Sequence, residues 1–176
     1  MIETDRLILT PPAVADYDDY RVMLADPEVM RFIGGIAAGR EEAWNKLLRA
    51  IGHWTAFGYG LFTVRERADG AYVGEVGLAH FGRGLGERFD PFPEAAWVLS
   101  PGKAGRGYAA EAARMAHDWL MAQSPVIRGT GRSVCLVHPE NEASLRVAAK
   151  LGYHPFGEVP YRGANPLMLE RDPHRG

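Results

Sequence analysis

The chain has 176 residues, a length that suits one domain (1–176) built round a single core. Apolar residues make up 47% and charged residues 24%, with a formal net charge of −2, so the composition is ordinary and lacks the basic excess that nucleic-acid binding draws on. No apolar run is long enough to cross a bilayer, the acid-bearing start Met1–Arg6 does not read as a signal peptide, and the single Cys135 cannot close an intrachain disulfide, all of which point to a cytoplasmic protein.

Taken in chain order, residues 6–10 (R-L-I-L-T) read as a strand that Pro11-Pro12 ends, because proline cannot donate to a ladder. Residues 16–25 read as a helix, with Tyr17, Tyr20, Met23 and Leu24 at helical spacing. Asp26 suits a helix N-cap and Pro27 the first helical position, and Gly34-Gly35 stops that short piece. Residues 40–57 form a helix whose stripe of Trp44, Leu47, Leu48, Ile51 and Trp54 predicts a core face. Residues 59–65 and 71–80 are two strands joined through Asp69-Gly70, a hairpin signal.

Residues 82–93 are a loop dense in turn formers. Residues 94–100 are a strand, 105–122 an Ala-rich helix, 133–137 an almost wholly apolar central strand, and 141–151 a helix stopped by Gly152. Residues 153–157 and 167–171 close the sheet. The order β, helices, β, β, β, α, β, α, β, β predicts a mixed α/β domain around one sheet. The exposed edges of such a sheet make a homodimer one arrangement open to it.

The segment 99–112 (L-S-P-G-K-A-G-R-G-Y-A-A-E-A) carries the most chemistry. An apolar strand runs into a glycine turn and the turn into a helix. That geometry leaves backbone N–H groups unpaired at the positive end of a helix dipole and suits a diphosphate. Lys103 and Arg106 offer additional positive charge. On spacing alone, a plain Gly-rich loop explains the segment equally well. Gly105-x-Gly107-x-x-Ala110 also satisfies a dinucleotide fingerprint, but the segment follows antiparallel-looking hairpins and the next strand ends in Val137-His138 rather than an acid. A Walker loop fails because no Gly-Lys-Ser/Thr occurs.

Three segments together resemble the GNAT superfamily of N-acetyltransferases, and within it the RimJ/RimL-like branch. They are Glu3-Thr4-Asp5-Arg6-Leu7-Ile8-Leu9; Glu94-Ala95-Ala96-Trp97-Val98-Leu99 running into Gly105-Arg106-Gly107-Tyr108-Ala109-Ala110-Glu111; and Val137-His138-Pro139-Glu140-Asn141-Glu142-Ala143-Ser144 running into Lys150-Leu151-Gly152-Tyr153. The match covers nearly the whole chain in order. Two positions depart from the family pattern. Gly102 stands where the family has Gln or Arg, and Ala148 stands where many members carry a Tyr.

The resemblance implies an α+β fold with a mixed, mostly antiparallel sheet splayed in the middle and flanked by helices. It implies acetyl-CoA as co-substrate, transfer to a primary amine (a protein N-terminus or a small amine), and no metal. A CoA-binding or sensor domain without catalysis is the other reading. Trp97, Val98 and Leu99 would lie along the pantetheine arm, with Val98 and Leu99 pairing to it like an added strand. Lys103, Gly105, Arg106, Gly107, Tyr108, Ala109 and Ala110 would surround the diphosphate, and Asn141 and Ser144 would contact the arm.

Transfer to an amine calls for a base, a donor to the developing oxyanion and a proton for the departing thiolate. Glu94 is the first candidate base and Glu75 the second. His80 is a weaker third, more simply read as structural. Each carboxylate is equally explained as a strand acid facing water. The Leu99 N–H is the candidate oxyanion donor, on family geometry. Ser144 is the candidate thiolate donor, since Ala148 removes the usual phenol.

Other reactive residues fall to plainer roles. Histidines 53, 80, 117, 138, 154 and 174 show no metal-ligand spacing among themselves or with Cys135. Cys135 reads as a buried small hydrophobe and Tyr153 as core. Trp44, Leu48 and Ile51 read as core rather than a binding box. The 82–93 loop, with Phe89 and Phe92, either lines the acceptor cleft or is plain loop.

Overall fold

In a computed structural model the described residues are 1–123, 125 and 129–172. The first strands are β1 (Ile2–Glu3) and β2 (Leu7–Thr10). A 3₁₀ turn at Val14–Asp16 leads into α1 (Tyr17–Leu24), α2 (Pro27–Met30) and α3 (Arg40–Phe57). Then come β3 (Leu61–Glu66), β4 (Tyr72–Ala79), β5 (Glu94–Leu99) and α4 (Tyr108–Met121). The chain continues through β6 (Ser133–Val137), α5 (Glu142–Lys150), β7 (His154–Glu158) and β8 (Leu167–Arg171).

The strands form one eight-stranded sheet in the order β1-β2-β3-β4-β5-β6-β8-β7. Every pairing is antiparallel except that of β5 with β6. This is the single mixed α/β domain that the element order predicts, and no helix among the described residues is long and apolar enough to cross a membrane.

Local chemistry sets the boundaries. The Asp26 carboxylate accepts from the N–H of Glu28 and Val29 at 2.8 and 3.2 Å, the N-cap its sequence position predicts. Gly58, with φ of 73°, stops α3 in the left-handed conformation. The helix predicted from residue 105 begins instead at Tyr108. Gly105 and Gly107 hold φ of 78° and 82°, which no α-helical residue adopts.

Two apolar clusters cover the two faces of the sheet. Val76, Leu78 and Ala95 pack with Ala112, Ala113, Ala116 and Leu120 of α4 on one face. Tyr72 and Val98 pack with Tyr20, Met23, Leu24, Ala43 and Leu47 of α1 and α3 on the other. The predicted stripe of α3 needs correction here. Ala43 and Leu47 are the fully buried pair, while Trp44 and Leu48 are 36% and 42% exposed. One residue along a helix is a rotation of about 100°, so the row through Ala43, Leu47 and Ile51 faces the cluster it shares with α1, Tyr72 and Val98, and its neighbours turn outward. The Trp44 and Tyr17 rings meet at right angles, their centroids 5.1 Å apart.

A polar chain crosses the larger cluster. His117 Nδ1 lies 2.6 Å from the Ala113 carbonyl, its Nε2 2.7 Å from the Tyr153 hydroxyl, and that hydroxyl 2.7 Å from Ser133 Oγ. A carbonyl only accepts, so Nδ1 carries the proton. Tyr153 then donates to Nε2, and Ser133 donates to Tyr153. Tyr153 and Cys135 are buried, as predicted.

Burial lowers the His117 pKa to about 4. The unfolded chain therefore takes up this proton near pH 6.5 and the folded chain only near 4. Stability from this residue is complete above pH 6.5 and erodes as pH falls through that window. Urea midpoints should decline from pH 6.5 to 4, and His117→Gln should remove that share of the slope.

Candidate active site

The two strands that flank the candidate site meet once. Glu94 pairs with Val134 through a Val134 N–H bond of 3.0 Å to the Pro93 carbonyl, and no further pair joins β5 to β6 among the described residues. The register of β5 on β4 shows which backbone groups this divergence frees. Ser100 donates to the Val73 carbonyl, and the ladder runs without a shift from Gly74–Leu99 to Ala79–Glu94. Antiparallel pairs alternate, so residues 94, 96, 98 and 100 turn their N–H and C=O toward β4. Trp97 and Leu99 turn theirs toward β6, into the gap.

The expected pairing of Val98 with an added strand is thereby corrected. Its backbone belongs to the Glu75 pair, and the gap-facing backbone groups are those of Trp97 and Leu99. Gly74 makes the close approach possible, because a Cβ there would collide with the Val98 carbonyl.

Beyond Leu99 the chain enters the glycine turn, where Gly102, Gly105 and Gly107 all have positive φ. Gly107 is the N-cap of α4 and has no side chain with which to satisfy the first helical N–H groups. The first bond within α4 runs from the Glu111 N–H to the Gly107 carbonyl, so the N–H groups of Tyr108, Ala109 and Ala110 have no intrahelical acceptor. An uncapped start on a 14-residue helix is a fitting cradle for an anion.

Lys103 and Arg106, predicted as added charge, are both engaged elsewhere. Lys103 Nζ and an Arg106 guanidinium nitrogen lie 2.7 and 3.0 Å from the same Glu66 carboxylate oxygen. The turn therefore offers backbone donors first.

Across the gap, Asn141 caps α5, its side-chain oxygen accepting from the Ser144 N–H at 3.1 Å. Ser144 Oγ accepts from the Trp97 indole at 2.9 Å, which leaves its own proton free to donate. Ala148 is fully buried.

The two candidate carboxylates have opposite surroundings. Glu94, 4% exposed, is held by Arg83 through two bonds of 2.6 and 2.7 Å, and Arg83 also donates to the Tyr161 hydroxyl at 2.9 Å. Burial pushes the Glu94 pKa up, and the Arg83 bonds oppose that rise. Glu75 is half-buried on β4, on the α1–α3 face beside Val98. Burial raises its pKa to about 7, while the hydrogen bond from Tyr20 and the more distant charges of Arg49 and Lys46 pull it down. Tyr72 on the same face has a buried hydroxyl with no hydrogen-bond partner among the described residues.

His80 sits in a ring cluster with His53, Phe57 and Tyr59, and its backbone N–H donates to His53 Nε2 at 2.9 Å. Burial lowers the pKa of both histidines. Among the described residues no three His, Cys, Asp or Glu side chains gather as a metal would require, and His174 lies outside those residues. Phe89 of the 82–93 loop is buried and Phe92 carries the Arg132 guanidinium 4.1 Å above its ring, so the loop is firmly packed. Arg83, Tyr20 and Tyr72 had no sequence signal. Each enters the site by tertiary packing.

A family model described as acetyltransferase (GNAT) domain matches residues 6–154. A protein of Bordetella pertussis described as a GNAT-family acetyltransferase is 33% identical, with 97% of this chain and 98% of that one covered and a TM-score of 0.81. An acetyltransferase from Agrobacterium tumefaciens is 30% identical over 97% and 92% of the two chains, with a TM-score of 0.79. The uncharacterised protein YkkB of Bacillus subtilis is 26% identical over 160 residues, 86% of this chain and 83% of that one. At the level of fold alone, spermidine N-acetyltransferase of Vibrio cholerae, in complex with CoA and spermine, matches at 14% identity over 96% of each chain and a TM-score of 0.69.

The ion pair carries a stability prediction. Arg83→Met strands a buried carboxylate and should cost about 3–5 kcal/mol in urea denaturation. Adding Glu94→Gln should restore most of that loss.

Proposed function

The chain belongs to the GNAT acetyltransferase family, and from that premise we propose that it is an acetyl-CoA-dependent N-acetyltransferase acting on a primary amine. The observation that carries the proposal is the open β5 edge leading straight into the uncapped start of α4. Peptide-like amides pair with a free strand edge and a diphosphate with free N–H groups, and a CoA thioester carries both. The CoA-bound fold neighbour supports the same assignment. The opening E-T-D-R-L and the two later segments support a place beside the RimJ/RimL-like branch.

The co-substrate supplies an activated acetyl group, and the chain supplies the rest. The Leu99 N–H faces the gap and serves as the donor to developing charge on the carbonyl oxygen. Ser144 Oγ, ordered by Trp97, is the candidate to return a proton to the departing sulfur.

For the base, the surroundings favour Glu75 over Glu94. Glu94 is locked to a guanidinium by two hydrogen bonds. Glu75 has no such partner, keeps solvent access and titrates near neutral pH, where a general base is most effective. An amine of pKa ~8 to ~10.4 is mostly protonated at pH 7, so accepting its proton is a real share of the barrier.

Thiol release from acetyl-CoA, followed over a panel of amines and N-terminal peptides, tests the activity. Tight CoA binding without turnover on any amine would favour the binding-only reading, to which the buried Ala148 lends weight. In the wild type, kcat/KM should rise with pH through about 7, the limb set by Glu75. Glu75→Gln should lower kcat/KM at pH 7 by about 10²–10⁴-fold and lose that limb, with the deficit shrinking toward pH 9. A Glu94→Gln variant with the larger catalytic loss and the altered pH limb would transfer the role to Glu94.

A further inference from the structure

The start of the chain touches the phosphate-binding turn. Arg6, just before β2, places its Nε and one terminal nitrogen on Glu111 Oε2, with the Nε bond 2.8 Å long. Its other terminal nitrogen donates to the Arg106 carbonyl at 3.0 Å. Thr4 completes the receptor. Its hydroxyl donates to Glu111 Oε1 at 2.6 Å and accepts from the Leu7 N–H at 2.8 Å, so both oxygens of Glu111 are held by the β1–β2 turn. The guanidinium also lies over the Tyr108 ring, 4.7 Å from its centre. A single side chain thus joins the turn, the first residue of α4 and a first-turn carboxylate.

We propose that Arg6 is a positioning residue for the cofactor, holding the 105–108 turn in its anion-binding shape and cancelling the charge of Glu111. The proposal rests on the acetyl-CoA reading given above.

Two physical consequences follow from the contacts. In a trans peptide the C=O and the following N–H point in opposite directions. Drawing the Arg106 carbonyl toward Arg6 therefore turns the Gly107 N–H away from it, and fixes that donor before any ligand arrives. The second consequence is electrostatic. Glu111 stands in the first turn of the helix whose N–H groups would meet the diphosphate, and an uncompensated carboxylate there repels an incoming anion. Burial pushes the Glu111 pKa up, yet the Thr4 and Arg6 hydrogen bonds leave it lowered, so the side chain is ionised at neutral pH. Arg6 is the cation paired with it.

Calorimetry with CoA on the wild type, Arg6→Lys, Arg6→Gln and Arg6→Gln/Glu111→Gln tests this. Arg6→Gln should weaken CoA binding tenfold or more and raise KM for acetyl-CoA by a similar factor, with KM for the amine little changed. Arg6→Lys keeps the charge but cannot reach both partners, and should fall between. The double variant should bind CoA more tightly than Arg6→Gln alone, because the repelling carboxylate is gone; recovery of the urea midpoint with no recovery of CoA affinity would mark a purely structural role and overturn the proposal.

If Arg6→Gln does not fold, Arg6→Lys bears the test, and binding equal to wild type then overturns the proposal. Equal affinity of the wild type and a folded Arg6→Gln overturns it as well, and leaves the acetyl-CoA reading standing. A wild type that gives no heat with CoA overturns both.

Discussion

A sheet whose strands all paired along their full length would have no place for a peptide-like ligand in its interior. Here β5 and β6 join at Glu94–Val134 and then part, and nearly everything of interest sits at that parting. Parallel neighbours need a crossover, and α4 provides it. The helix must therefore begin where β5 ends, beside the gap. The gap-facing backbone of Trp97 and Leu99 and the α4 N–H groups that lack an intrahelical acceptor are thus two results of one topological event. Ser144 reaches the gap from the far side because α5 follows β6 directly.

The two strand carboxylates illustrate how position decides chemistry. Glu94 is deeply buried, which an ionised side chain tolerates only with a partner, and Arg83 provides one with a two-pronged contact. Glu75 sits among two tyrosines and apolar side chains, with its cations at longer range, so burial is incompletely offset and its pKa climbs to about 7. Two carboxylates on neighbouring strands are thus driven to different states by their surroundings alone.

Much of this was legible in the residues. The ends of α3 and β6 follow from Gly58 and from an apolar run, and the glycine turn announced itself by three glycines between an apolar strand and an Ala-rich helix. What escaped has physical causes. The two-residue β1 is too short to show a period, and it is held by its turn rather than by its own pattern. The outward rotation of Trp44 and Leu48 depends on which of two adjacent rows faces the core, and both rows are apolar. The parity that gives Trp97 and Leu99 to the gap needs a register, which a sequence does not carry. The pairing of Lys103 and Arg106 with Glu66 spans about forty residues and has no local trace.

The contacts of Thr4 and Arg6 with Glu111 also bear on how the protein assembles. They are separated by 107 and 105 residues of chain. During synthesis the amino-terminal turn emerges early and must wait, its carboxylate partner still unmade. Contacts of that span raise the contact order of the fold, the property with which folding slows across small domains. A growing chain cut short before residue 106 would have nothing for the Arg6 side chain to hold.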